Sequence, residues 1–394
     1  MPFVVYLLGL TIFSLTTAEF MIASMMPALS SALGVTVGQI GYLISLYALG
    51  MTAGGPVLTV LLLARRIPNR QALLWLLALY VAGSVVAAMA TSYTAMAVAR
   101  VVMGVASSAC FGVSLTICAG LVPPHARGRA ASFVLGGLMF APVLGLPITS
   151  LIEQHFGWRA SFWSVAVLSM VCTAIIAAFV PASKGDPTPS LASEFRALLN
   201  TRLWAAYATS GLIIGATFAA FSYFSPIFIG ITGFSASVMP GMLVVYGATN
   251  ILGNFVVGRL ADRHTMPVLV GGLTILCTAL ASFALFADNA FVSVAAFMLI
   301  GLTGVALNPA MVARVMRTAQ SGPLVNTMHS CVVTAGLALG TWAGGVGIDN
   351  GHGLRSPLWV GTALALLGLL SLVPFLGARS KQTVQTAEFC SKRS

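Results

Sequence analysis

Apolar residues in this chain do not alternate with polar ones; they run in stretches of about twenty or more, cut by short clusters of Pro, Gly and charge. A helix rises 1.5 Å per residue, so ~20 apolar residues cross a ~30 Å hydrocarbon core. Barrel strands would need a period of two over ~10 residues, and no such alternation is present. The pattern therefore predicts an all-α membrane protein with twelve spanning helices. They fall at approximately 4–29, 38–64, 71–91, 94–121, 130–152, 159–181, 203–230, 237–258, 266–287, 290–313, 323–348 and 357–377.

The polar positions between these runs give the fold a direction. Every Lys and Arg except Arg100, Arg159 and Arg355 falls after an even-numbered span or in the tail, at one face. Basic residues stay on the cytoplasmic side of a membrane, so both termini are expected there. The longest polar connection includes Lys184, Asp186, Pro187, Pro189, Glu194 and Arg196. It divides the chain into a first six-helix half (1–181), a cytoplasmic linker (182–202), a second six-helix half (203–378) and a cytoplasmic tail (379–394). A repeat supports the division. At an offset of 196, Ile152, Glu153, Gly157, Arg159 and Trp163 match Ile348, Asp349, Gly353, Arg355 and Trp359. Two halves repeated in parallel are one way of building alternating-access transporters, with substrate bound near the midplane between them.

Composition narrows the class further. Only 7% of residues are charged and mean hydropathy is +0.99, against roughly 25% charged residues in a soluble protein. The net charge of +11 is spread over short connections, which fits membrane topology and not a nucleic-acid surface. Five of the six cysteines lie inside apolar runs, without metal-ligand or CxxC spacing. The first run has neither a basic leader nor a small-residue cleavage site, so it is expected to remain as a span. No HExxH, GxSxG or phosphate-binding GxxxxGKS/T sequence occurs. The expectation is no enzyme, no cofactor and no metal, with an ion gradient as the source of energy.

Of eight acidic residues, seven lie near segment ends or in loops, and Glu19 alone sits within a span. Intramembrane acids are costly and usually functional. Desolvation raises a carboxyl pKa, which would let Glu19 take a proton on one side and release it on the other. The competing reading is a carboxylate permanently paired for helix packing. Arg100 is its natural partner: Glu19 lies ~22 Å along span 1 and Arg100 ~9 Å along the returning span 4, at similar depth. An ion pair between them would either couple to transport or simply hold the bundle together.

Several stretches resemble the major facilitator superfamily, and within it the twelve-span drug:proton antiporters. Gly258-Arg259-Leu260-Ala261-Asp262-Arg263 is similar to its signature cytoplasmic loop; the counterpart after span 2, Ala64 to Arg70, lacks the aspartate. Ala99 to Gly104 resembles the intramembrane arginine motif. Gly137 and Ala141 to Pro147 resemble the antiporter motif, and Thr17 to Phe20 the acidic motif of chloramphenicol and sugar-efflux branches. Gly157 to Trp163 and Arg355 to Trp359 are similar to chloramphenicol exporters. The resemblance implies Glu19 and Arg100 in proton coupling. It implies Asp262, Arg259 and Arg263 as a gating latch, and Gly137, Pro142 and Gly145 as a flexible interface. For the latch's basic residues, topology signals are the alternative; for span 5, ordinary helix packing.

Candidate substrate contacts are Phe20 and Met103 in the motifs, Phe218, Phe221 and Tyr223 in span 7, Tyr246, Asn250 and Asn254 in span 8, and Asn308 in span 10. An aromatic wall with a few amides suits a small, weakly polar drug. Asn250 and Asn254 equally suit helix–helix adhesion, Asn308 the backbone freed by Pro309, and His329 either structure or protons. The function expected is proton-coupled efflux of a small drug, chloramphenicol by resemblance, from the bacterial inner membrane by a monomer. Efflux of sugars or nucleoside-like metabolites is the alternative. Lipid, protons and the drug are the expected partners, without nucleic acid.

Overall fold

The computed structural model of the protein describes residues 2–65, 67–123, 126–180, 198–318 and 323–391. Among them are twelve helices long and apolar enough to cross a membrane. Spans 1 to 6 are Phe3–Ala23, Val37–Leu58, Asn69–Met89, Tyr93–Gly120, Arg129–Phe156 and Trp158–Phe179. Spans 7 to 12 are Thr201–Gly230, Ala236–Ala261, Arg263–Leu285, Ala290–Thr318, Val325–His352 and Ser356–Phe375. Most of the expected linker lies outside the described residues. The helix carrying span 12 continues to Ser391, through most of the expected tail. The end of the bundle where the chain starts is called the terminal face below, and the opposite end the distal face.

Breaks in the helices come where the sequence cannot complete its backbone bonds. The expected run 4–29 is two pieces: a helix Phe3–Phe20 closing in a 3₁₀ turn at Met21–Ala23, then a short helix Met26–Leu33 with Pro27 in its first turn. Span 7 repeats this, with a helix to Phe221 and a second piece Phe224–Gly230 holding Pro226. Proline has no N–H and crowds the preceding turn, so it starts a helix more readily than it continues one. The expected loop Gly258–Arg263 is corrected in the other direction. Helix runs from Met239 to Leu285, and only His264 (φ −126°, ψ 41°) leaves helical geometry. No proline interrupts residues 258–263, so the chain turns on one residue just ahead of Pro267.

The sequence repeat has a structural counterpart. Gly157 and Gly353 both take positive φ, 82° and 74°, where a side chain would be strained. Arg159 then donates to Ala90 O (3.0 Å) in the hairpin between spans 3 and 4, and Arg355 pairs with Asp288 in the hairpin between spans 9 and 10. Each arginine thus pins the equivalent hairpin of its own half.

Spans 2 and 11, and spans 5 and 8, join the halves. At the distal face Asp349 accepts from Thr36 Oγ1 (2.6 Å) and Tyr42 Oη (2.8 Å). Gln154 Nε2 donates to Ala236 O (2.6 Å). Tyr223 lies between the halves: its hydroxyl donates to Thr341 O (2.8 Å), and a Cβ on Gly41 of span 2 would collide with its ring. Deeper in, the Thr52 and Thr334 hydroxyls are 2.8 Å apart. The distal face is closed.

Among the described residues, Asp349 alone receives two hydrogen bonds from the first half at this seal. Asp349→Ala is expected to raise the distally opened population roughly tenfold, as removal of charge-assisted bonds predicts. Electron–electron resonance between spin labels at Ser31 and His352 checks this; an unchanged distance distribution would count against it.

Candidate functional site

The 3₁₀ closure of span 1 leaves the carbonyls of Ala18 and Glu19 at a helix C-terminus, where the usual N–H partners run out. Arg100 supplies them. Its Nη1 donates to Ala18 O (2.7 Å), its Nη2 to Glu19 O (2.8 Å) and its Nε to Leu43 O of span 2 (3.2 Å). The guanidinium also lies over the Tyr47 ring, 4.2 Å from the centroid, and is fully buried. A cation at a helix C-terminus is favoured by the macrodipole, and a planar fork can serve several acceptors where an ammonium cannot.

The similar depth expected of Glu19 and Arg100 holds, but the expected ion pair is corrected. Arg100 is bonded to backbone oxygens of residues 18, 19 and 43, and not to the Glu19 carboxylate. Carbonyls exposed by the break take the donors that a carboxylate would otherwise use. Glu19 is 6% exposed, and its carboxyl has Arg100 as its charged neighbour, with no donor of a described residue fixed on it.

The next residue faces the other half. Phe20 stacks on Phe218 (centroids 4.9 Å, 21°) and meets Phe221 edge-on at 6.4 Å. The cluster continues through Tyr246, 4.6 Å from Phe221, to Phe297, 4.9 Å from Tyr246. Phe224 stacks on both Phe221 and Phe297. Four expected wall residues are thus brought together: Phe20, Phe218, Phe221 and Tyr246, whose buried hydroxyl has no partner. Phe224 and Phe297 escape a reading of the sequence because an aromatic in an apolar run carries no mark of what it faces.

Other assignments change. Met103 is buried against Gly83 of span 3, inside the first half and away from the aromatic cluster, because the missing side chain there leaves room for it. Tyr223 belongs to the distal seal. Asn250 donates to Gly301 O at 3.5 Å, tying span 8 to span 10, in line with the adhesive reading. Asn254 and Asn308 are half-buried, without a side-chain hydrogen bond to described residues. His329 stacks on Tyr207 at 5.7 Å, and its Nε2 has no partner. Arg314, counted in the sequence among the basic residues of one face at the end of span 10, is buried: Nη1 donates to Thr209 Oγ1 (2.8 Å) and the guanidinium lies over Phe375.

Span 5 fits both partners. A Cβ on Gly137 would come 2.1 Å from Gly9 O, and one on Gly145 2.1 Å from Thr17 Oγ1, so both glycines let span 5 lie directly on span 1. Between them Ala141–Gly145 widens into a π-turn, with Leu146 N–H bonded five residues back to Ala141 O. Pro142 and Pro147 both lack the N–H that ordinary helical spacing would use. The π-turn carries Val143 against Gly247 of span 8, in the other half. In the expected latch, the Asp262 side chain lies outside those described. Arg259 covers Phe255, one turn back on its own helix (4.0 Å), and Arg263 is exposed.

A family model, the Major Facilitator Superfamily, matches residues 8–324. The chain belongs to the Major Facilitator Superfamily. Among relatives of this major facilitator chain is a chloramphenicol resistance protein of Streptomyces lividans. The two are 34% identical over 383 residues, 95% of this chain and 96% of the relative. The inner membrane transport protein YdhP of Escherichia coli is 30% identical over 375 residues, 95% of each chain. In fold, the chain is similar to a bacterial homologue of the human lysosomal transporter Spinster, solved inward-facing and occupied. The TM-score is 0.72 at 17% identity, covering 95% of this chain and 96% of that one. The protein is a multi-pass membrane transporter of this superfamily.

Replacing Arg100 separates charge from geometry. Arg100→Lys keeps the charge but cannot reach three carbonyls, so it is expected to destabilise nearly as much as Arg100→Ala, by about 3–5 kcal/mol. Thermal unfolding in detergent checks this; a lysine variant as stable as wild type would refute the carbonyl clamp.

Proposed function

We propose that the protein exports a small, weakly polar, drug-like molecule in exchange for protons, with Glu19 as the proton carrier. One observation carries this reading: consecutive residues serve the two transported species. Glu19 is buried beside Arg100 in the first half, while Phe20 stacks on Phe218 of the second. A molecule entering between Phe20 and Phe218 displaces the broken end of span 1, whose carbonyls Arg100 holds. That displacement changes how closely the guanidinium faces the Glu19 carboxyl. A carboxyl near a cation favours its charged form, and one moved away from it favours the protonated form. Substrate and proton are thereby linked through two neighbouring residues.

The aromatic cluster favours a flat, apolar body over a sugar. Asn250 is already engaged with Gly301 O, so the wall has fewer free amides than sugar recognition would use. Similarity to the chloramphenicol resistance protein over nearly the whole chain makes chloramphenicol the first substrate to test. Arg65, Arg127, Arg129, Arg202 and Arg259 gather at the terminal face. Their placement supports cytoplasmic termini in a bacterial inner membrane. Gly137, Pro142 and Gly145 would let span 5 rock between spans 1 and 8, and Asp262, Arg259 and Arg263 would engage in the opposite conformation.

Expression in a drug-sensitive host should raise resistance to chloramphenicol at least several-fold. Inverted vesicles from that host should release protons on drug addition, and Glu19→Gln should abolish that release while downhill drug exchange persists. Undiminished proton-coupled export by Glu19→Gln would overturn the proposal, and resistance to none of a panel of antibiotics would remove the drug from it.

A further inference from the structure

Hydroxyls buried in these helices usually have an obvious acceptor. Thr11, Thr17, Ser84 and Thr149 each donate to the carbonyl four residues back. The buried Tyr207 and Tyr223 hydroxyls donate to Val325 O and Thr341 O. Among those that behave differently are three of the first half. Tyr80 of span 3, and Ser107 and Ser114 of span 4, are buried and make no well-formed hydrogen bond among the described residues. Tyr80 and Ser107 both lie within reach of the Tyr47 hydroxyl, which donates a long bond of 3.4 Å to Leu15 O. Arg100 and Glu19 are the charged groups around this cluster.

Unpartnered hydroxyls held this deep are costly, and a buried water needs two to four polar partners. Tyr47, Tyr80 and Ser107 offer three at one point, in the neighbourhood of Glu19. We propose that these three hydroxyls hold water and carry protons between Glu19 and the terminal face, through the interior of the first half and apart from the aromatic space between the halves. The inference rests on Glu19 being the proton carrier. The Glu19 carboxylic acid gives its proton to the held water. Each hydroxyl then accepts one proton while releasing its own, so none ends charged and the carboxylate is left behind. Ser114 marks the direction of travel. It lies two turns beyond Ser107 on the same face of span 4, about 10 Å nearer the terminal face.

The route differs from the substrate path in what it needs. Tyr80 and Ser107 belong to helices packed within the first half, so their loss should leave the aromatic cluster unchanged. Tyr80→Phe and Ser107→Ala remove hydroxyls whose nearest polar group is the Tyr47 hydroxyl, with no well-formed bond to it, and each is expected to lower thermal stability only slightly.

The test uses the full chain in lipid nanodiscs and needs no substrate. A stopped-flow pH jump is followed by infrared absorption of the protonated carboxyl. The band lost in Glu19→Gln is assigned to Glu19. Tyr80→Phe and Ser107→Ala are expected to slow the rate at which that band follows the jump at least tenfold, with its midpoint pH nearly unchanged. Wild-type rates in both variants would overturn this inference and leave the proton carrier standing. A wild-type spectrum with no titrating band assigned to Glu19 would overturn both.

Discussion

A single guanidinium holds together the part of the molecule where its chemistry is concentrated. Span 1 cannot run straight through the bilayer because Pro27 waits beyond its distal end, and the broken helix leaves carbonyls without donors. Arg100 crosses from span 4 to fill two of them and a third on span 2. Without this clamp, the carbonyls of Ala18 and Glu19 would be buried unsatisfied at membrane depth, where each costs several kcal/mol. Three helices of the first half are thus fixed at one point, and Glu19 and Phe20 are placed by it.

From that point, the two halves take different tasks. The first keeps the titratable group, its cation and the buried hydroxyls. The second supplies the aromatic surface, with Phe218, Phe221, Phe224, Tyr246 and Phe297 in contact as a chain of rings. Span 5 touches both: its glycines seat it on span 1, and its π-turn sets Val143 on Gly247. A helix widened between two prolines can change its twist locally without unpacking its ends.

Much of the architecture is legible in the chain itself, because length and polarity alone decide what can cross a bilayer. The twelve runs, the six-plus-six repeat and the isolation of Glu19 all lie in the letters. Competition for partners does not. Arg100 reads as a mate for the Glu19 carboxylate, since sequence does not show which carbonyls a break will orphan. Met103 and Tyr223 have plausible spacing but find glycines to pack on, at Gly83 and Gly41. Arg314 is legible only as a basic residue at the end of span 10, because its distance from a helix end says nothing of the neighbours that cover it. Periodicity places a residue at a depth; only packing decides its direction.

The paired hydroxyls of Thr52 and Thr334 sit between the closed distal face and the terminal one, and either can be the donor. Such a contact has no preferred polarity: each oxygen can turn its hydrogen toward or away from the other with little loss. It can therefore survive a change of angle between spans 2 and 11 that would tear the more directional bonds around Asp349. Any rotation of spans 2 and 11 about this contact would move the ends of both helices far while moving their middles little.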